Sequence, residues 1–352
     1  MSPTSGAVKN ARAESGCWSL SSAQWPCPPC NAVRPAGPLP QASRLASPGG
    51  VSECSAPLGR EERGVTTAVE RTTHEAVGSI QSLELEITGK CQLSCMHCLS
   101  ESSPEVTHGT MSVEDWRMVI TDAAALGIHT IQIIGGEPTV HPHWRALAEY
   151  ALTLGRHVEV YSNLYKVHEQ WWELLTHPSV TLGTSYYSDD PSEHDTITGQ
   201  RGSYVRTRSN IREAVKRGVQ IRAGIVEVLP GQHVAGARAE LRSMGVTRIN
   251  VDRARAVGRA LLPGQSPTLD EMCGRCTRGR AAVLPNGDLA GCVLARDFPA
   301  GNVRETRLAE LLGGRVWADL AARIPLPARN ACPPDDSGDC DPANTTACAP
   351  KY

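Results

Sequence analysis

Aromatic residues are scarce in this chain of 352 residues, at 4% with Phe298 the sole phenylalanine, so aliphatic side chains must carry the core. No uninterrupted apolar stretch approaches the roughly 18 residues of a membrane helix, which excludes a helical membrane span. A basic surplus is also missing. Lys and Arg number 35 against 37 Asp and Glu, for a net charge of −2, so nothing marks the chain as a nucleic-acid binder. No charged segment followed by an apolar one opens the sequence, and a secretory signal is not expected. Against these absences stand 13 cysteines. In a short secreted chain they would be a disulfide framework. In a long chain with an α/β pattern they read instead as metal ligands in a reducing compartment, and the expected location is cytoplasmic.

The cysteines fall into three groups. Cys17, Cys27, Cys30 and Cys54 lie in a segment, residues 1–78, that is rich in Pro and Ser. Eight of the 25 prolines fall within the first 50 residues and no apolar periodicity is present, so the segment is expected to be a disordered extension. Cys27-Pro-Pro-Cys30 has redox spacing but lacks the flanking strand and helix that would lower a thiol pKa.

From about residue 80, short strands alternate with amphipathic helices. LELEIT (83–88), TIQII (130–134), HVEVYS (157–162), VTLGTSYY (180–187), VQIRAGIVEV (219–228) and TRINVDR (247–253) read as strands. Between them, Ser112 and Asp115 form a capping box before VEDWRMVITDAAALG, and further helices are expected over PHWRALAEYALTLG, QWWELL, SYVRTRSNIREAVKRG and HVAGARAELRSMG. Such alternation implies parallel strands with right-handed crossovers. Six βα units are fewer than a closed eight-fold barrel needs, and a partial barrel open on one side fits.

Cys91, Cys95 and Cys98 lie within eight residues, directly after the first strand. Three thiolates can wrap one soft metal centre while leaving a four-iron cubane one ligand short, open for a substrate. His97 offers a fourth ligand, so a closed structural zinc site is the competing reading. Gly135-Gly136-Glu137-Pro138 follows the second strand, at a strand end where such sheets bind ligands. Glycines let a backbone carbonyl approach a ligand, and Glu137 offers a charged acceptor for an ammonium.

CxxxCxxC followed one βα unit later by GGEP resembles the radical S-adenosylmethionine (radical SAM) superfamily, and the resemblance covers residues 79–261. It implies a partial (β/α)6 barrel in which Cys91, Cys95 and Cys98 hold a [4Fe–4S] cluster whose fourth iron binds SAM. Gly135, Gly136 and Glu137 would receive the methionine ammonium, with Pro138 completing the cofactor-binding turn. Asn163 and Ser185 fall where the family contacts the ribose, and Arg222 where a carboxylate partner is found. One electron would then split the sulfonium, and a 5′-deoxyadenosyl radical would take a hydrogen from substrate.

The last 80 residues carry Cys273, Cys276, Cys292, Cys332, Cys340 and Cys348. AAVLPNGDLAGC reads as a β-hairpin turning at Asn286-Gly287, which would return Cys292 to the Cys273/Cys276 pair. GNVRETRLAELLGG follows as a short helix. With VGRA (257–260) before it, residues 262–352 resemble the cysteine-rich SPASM and twitch extensions, which hold auxiliary iron–sulfur clusters. The tail departs from the dense SPASM run, because Cys332, Cys340 and Cys348 are separated by seven residues each. One auxiliary cluster on Cys273, Cys276, Cys292 and a tail cysteine is the expectation, with a zinc knuckle the alternative.

SPASM relatives mostly crosslink or oxidise ribosomally made peptides. The stretch SYYSDDPSEHDTITGQRGSY (185–204) resembles a loop that peptide-modifying members carry, with Asp189, Asp190 and His194 read as solvated loop residues. The expected substrate is therefore a peptide. Residues 1–78 do not suit a leader-binding winged helix, so either a separate recognition protein presents the peptide or the substrate is a small molecule. Flavodoxin or ferredoxin would supply electrons. The alternatives are a dehydrogenase or decarboxylase of a sugar-type antibiotic precursor, or a zinc protein without catalysis.

Overall fold

The computed structural model describes residues 80–326. The expected extension over 1–78 and the tail residues Cys332, Cys340 and Cys348 lie outside the described residues.

Six strands run parallel, each beside its neighbour in sequence: β1 (Ser82–Glu86), β2 (Thr130–Ile134), β3 (His157–Tyr161), β4 (Val180–Tyr186), β5 (Ile221–Glu227) and β6 (Arg248–Arg253). The crossovers carry helices α1 (Val113–Ala125), α2 (Trp144–Thr153), α3 (Trp172–Leu175), α4 (Pro191–Thr198), α5 (Ser203–Lys216) and α6 (Val234–Ser243). Beyond β1 the sheet continues with β7 (Arg280–Val283), parallel to β1, and β8 (Leu289–Ala290), antiparallel to β7. The strand order is β6-β5-β4-β3-β2-β1-β7-β8, and β6 and β8 are the two free edges. This is the partial barrel expected of six βα units. The hairpin turns where Asn286-Gly287 predicts, with Gly287 at φ +92°, but it extends the core sheet through β1.

Both faces of β1 are buried. Leu83 and Leu85 pack into the apolar core, while Glu84 and Glu86 alternate to the inner face and are buried too. In register, Glu84 stands opposite Gln132, and Gln132 opposite Glu159. The period-two pattern that usually marks a strand half in water here marks one that separates core from cavity.

The capping box of α1 is present: Asp115 N–H donates to Ser112 Oγ at 3.1 Å and Ser112 N–H to Asp115 Oδ2 at 2.9 Å. Trp116, Val119, Ile120 and Ala123 recur at helical spacing and are buried, and burial of Trp116 alone stabilises by about 2–3 kcal/mol. On the same helix, buried Asp122 accepts both Nε and Nη2 of Arg307, just before α7 (Leu308–Leu312) and α8 (Arg315–Arg323). That ion pair fastens the C-terminal helices to the core.

One expectation is corrected. Residues 185–204 contain α4, so His194 is not a solvated loop residue and Asp190 is a helix cap, while Asp189 is exposed as expected. Asp190 accepts from Ser192 N–H (2.8 Å) and Glu193 N–H (2.9 Å), Pro191 opens the first turn of the helix, and Gly199 ends it in the left-handed region. His194 is buried among Tyr186, Tyr187 and Tyr204, with Nδ1 3.1 Å from Ser203 Oγ. Among the described residues no helix is long and apolar enough to cross a membrane.

Candidate active site

A cavity of about 400 Å³ opens at the C-terminal ends of the parallel strands. Cys91, Cys95 and Cys98 line it together with Gly135, Gly136, Asn163, Ser185 and Arg222. The candidate residues of the core therefore converge on one space, with Glu137 and Pro138 set just behind it.

The cysteine loop is held by backbone hydrogen bonds. Cys91 N–H donates to Ser103 O (3.1 Å), Ser94 N–H to Thr198 O (3.2 Å) and Met96 N–H to Ile197 O (3.0 Å), so the end of α4 props up the middle of the loop. Gly136 N–H donates to Thr88 O (2.7 Å) and Glu137 N–H to Lys90 O (2.9 Å), which joins the loops after β1 and β2. A Cβ on Gly136 would stand 2.5 Å from Lys90 O and 2.7 Å from Ser102 Oγ. The glycine is thus required by the neighbouring loop as well as by any ligand.

Glu137 does not line the cavity. Its carboxylate is fully buried and accepts from Ser162 Oγ (2.8 Å), Asn163 N–H (2.8 Å), Thr139 Oγ1 (2.7 Å) and Thr139 N–H (3.2 Å). Pro138 begins the short turn Pro138–Val140 that Glu137 caps. The acid ties the β2 loop to the end of β3, where Asn163 takes over. Asn163 Nδ2 donates to Cys91 Sγ (3.5 Å), and its Oδ1 accepts from Gln92 Nε2 (3.0 Å).

The donor set suits an iron–sulfur centre. Three thiols line one wall, and Leu93 N–H joins Asn163 in donating to Cys91 Sγ, at 3.4 Å. Hydrogen bonds of this kind favour a thiolate and tune a cluster bound to it. Burial pushes the Cys91 thiol well up and the Cys95 thiol to about 12, so a cation is needed to hold them deprotonated. Among the described residues no three His, Cys, Asp or Glu side chains are arranged to hold a single metal ion. Burial pulls His97 down to about 4, leaving a neutral ring packed edge-on at 5.1 Å from Tyr187.

Ser185 Oγ lies 3.2 Å from the Tyr161 hydroxyl, itself in the lining. Arg222 engages Glu159 through two hydrogen bonds. Deeper in the cavity lie Glu84, Glu86 and Arg280, which sequence reasoning missed although the two acids alternate visibly in LELEIT.

Beyond this inner wall a second thiol group forms. Cys276 and Cys292 are buried, and Cys276 shares hydrogen bonds with both Cys273 and Cys292. Its bond to Cys273, helped by Arg255 and Arg280, pulls the Cys273 thiol down. The hairpin thus returns Cys292 to the pair at 273 and 276, and Arg255 and Arg280, beside Cys273, also line the cavity.

Residues 85–235 match the family model of the radical SAM superfamily. The matched segment takes in the cysteine loop and the glycine pair but is less than half of the chain. The chain is 31% identical over 142 residues to the "Antilisterial bacteriocin subtilosin biosynthesis protein AlbA" of Bacillus subtilis, covering 40% of this chain and 32% of the relative. It is 25% identical over 253 residues to the "PqqA peptide cyclase" of Xanthomonas campestris, covering 70% of this chain and 61% of the relative. The chain therefore spans about a third to three fifths of these curated relatives' lengths. Among solved structures, SuiB of Streptococcus suis bound to S-adenosylmethionine superposes with a TM-score of 0.58 at 16% identity, over 70% of this chain and 68% of that one. This likeness shows the radical SAM fold.

Proposed function

We propose that this chain is a radical SAM enzyme that reductively cleaves S-adenosylmethionine and abstracts a hydrogen atom from a ribosomally made peptide, leading to a crosslink or an oxidised side chain. The observation that carries the reading is the convergence of Cys91, Cys95 and Cys98 with the Gly135-Gly136 strand end on one cavity. The peptide substrate is supported by two relatives whose names are those of a bacteriocin biosynthesis protein and a peptide cyclase.

Cys91, Cys95 and Cys98 would hold the [4Fe–4S] cluster, which with SAM supplies the electron and the 5′-deoxyadenosyl radical. The chain's own residues bind and shield. Gly135 and Gly136 present backbone to the methionine end of SAM, while Asn163 and Ser185 present polar groups to the ribose. Glu137 acts from behind by fixing the loop. Tyr161, Tyr187 and Leu93 shield the space from water, as radical chemistry requires. An auxiliary cluster on Cys273, Cys276, Cys292 and one of Cys332, Cys340 or Cys348 belongs to the same reading, with domain limits at 79–261 and 262–352. A recognition protein that presents the peptide, flavodoxin or ferredoxin as reductant, and a cytoplasmic location complete it.

The test is anaerobic reconstitution with iron and sulfide, followed by assay of dithionite-dependent release of 5′-deoxyadenosine from SAM. About eight irons per chain with cleavage supports both clusters, and about four irons with cleavage keeps the enzyme and removes the auxiliary cluster. Bound zinc without cleavage overturns the proposal.

A further inference from the structure

Two residues from far along the chain are built into the cysteine loop. After β6 the backbone turns through Gly258 at φ +57°, and Arg259 N–H donates to Cys98 O at 3.1 Å. The Arg259 guanidinium then spans the loop, with Nε donating to Cys95 O and Nη2 to Ser102 O, both at 2.8 Å. A Cβ on Gly258 would stand 2.4 Å from Leu99 O and 2.5 Å from Cys98 O, so a larger residue would push the two segments apart. One residue thereby donates to three loop carbonyls, two of them on the cysteines themselves.

The placement has two physical consequences. The loop's first half rests on the end of α4, and the carbonyls of Cys95 and Cys98, which accept from Cys98 N–H and Glu101 N–H within the loop (both 3.2 Å), are joined with that of Ser102 by Arg259. A guanidinium stays charged at every physiological pH, and this one lies against a loop that carries three thiolates when loaded. Electrostatics then favours the added negative charge of a reduced centre.

We infer that Gly258 and Arg259 form a clamp that positions the cysteine ligands, the forked hydrogen bonds fixing how firmly iron is held and the charge setting how readily the centre is reduced. This rests on the proposal that Cys91, Cys95 and Cys98 hold a cluster. The two parts of the clamp separate by substitution. Arg259→Met removes fork and charge, whereas Arg259→Lys keeps the charge and loses the fork.

The experiment compares the reconstituted full chain with both variants by two readouts. The first is the rate of iron transfer to a ferrous chelator. The second is the midpoint potential of the electron-paramagnetic-resonance signal that SAM perturbs, which selects the cluster with an open iron. Arg259→Met is expected to release iron about 10- to 100-fold faster, the usual cost of losing a residue that orients metal ligands, and to titrate at a more negative potential. Arg259→Lys is expected to release iron faster than the native chain but to keep a near-native potential. A natively folded Arg259→Met variant with native release and native potential overturns the inference. Should that variant not fold, Arg259→Lys and Gly258→Ala decide it, since native release from both overturns it equally. Failure of the unsubstituted chain to take up iron would instead overturn the cluster assignment itself.

Discussion

Arg222 and Glu159 form a two-pronged ion pair inside the barrel, with Nε donating to Oε2 at 2.7 Å and Nη2 to Oε1 at 2.6 Å, across the intervening β4. Each side chain is only 10% exposed. Gln132 Nε2 also donates to Glu159 Oε1, so the pair belongs to a belt that starts at Glu84 on β1. The carboxylate partner expected for Arg222 thus includes one supplied by this chain.

Removing one member leaves the other charged and buried. Glu159→Gln is expected to lower stability by about 3 kcal/mol in urea unfolding at pH 7. Burial raises the Glu159 pKa, but Arg222 and Gln132 outweigh it and leave the carboxyl below its ordinary 4.5. A depressed folded pKa contributes stability above the unfolded pKa, and that contribution is lost as pH falls through the folded value. The gap between native chain and variant should therefore be constant above about pH 5 and close in more acidic solution. A gap independent of pH would show that the pair is not the cause.

Glu137→Gln separates two roles for the GGEP acid. If its carboxylate met the SAM ammonium directly, the amide would weaken SAM binding and leave the fold intact. The four hydrogen bonds from Thr139, Ser162 and Asn163 argue otherwise. An amide nitrogen in this site faces donors, so stability should fall by about 1–3 kcal/mol together with SAM affinity. Thermal unfolding and equilibrium dialysis with SAM measure both, and lost affinity at native stability would restore the direct role.

Gly136→Ala is expected to cripple the site through the backbone. With Lys90 O at 2.5 Å from the new Cβ, the loops after β1 and β2 must part. Such overpacking costs about 1–3 kcal/mol, and the shift falls on the loop that carries Cys91. Reconstituted iron content should drop with it, whereas Gly127→Ala, in open space, should retain full iron at a similar backbone cost.

Much of this was legible from local pattern. TIQII and the Ser112/Asp115 box gave β2 and the start of α1 because burial and capping act within a few residues. Helix α4 escaped notice because its Ser/Asp/Thr composition carries little apolar periodicity, although Asp190-Pro191 and Gly199 were its start and stop signals. The pairing of β7 with β1 has no local signal, since the partners lie about 200 residues apart and either flank of a sheet could have accepted the hairpin. Arg259 is visible within VGRA (257–260), but its contacts have no local signal either. Its role exists only once the end of β6 meets a loop some 160 positions earlier.

The two thiol groups should fail differently. Cys98 lines the cavity with Gly135 and Gly136, whereas Cys292 is buried outside the lining and hydrogen-bonded to Cys276. On the proposed assignment Cys98 is a ligand of the cluster that cleaves SAM, so in Cys98→Ala 5′-deoxyadenosine release should disappear even when the remaining iron loads. On the same proposal Cys292→Ala removes a ligand of the auxiliary cluster alone. Iron should fall from about eight to about four per chain while SAM cleavage persists, and formation of modified peptide should be lost. Val293 N–H donates to Glu84 Oε2 at 2.8 Å, so the backbone at this position is held independently of the cysteine side chain and the variant should fold. Retained SAM cleavage in Cys98→Ala would overturn the assignment of the first group. Abolished cleavage in a well-folded Cys292→Ala would mean that the electron must pass through the second group to reach the first.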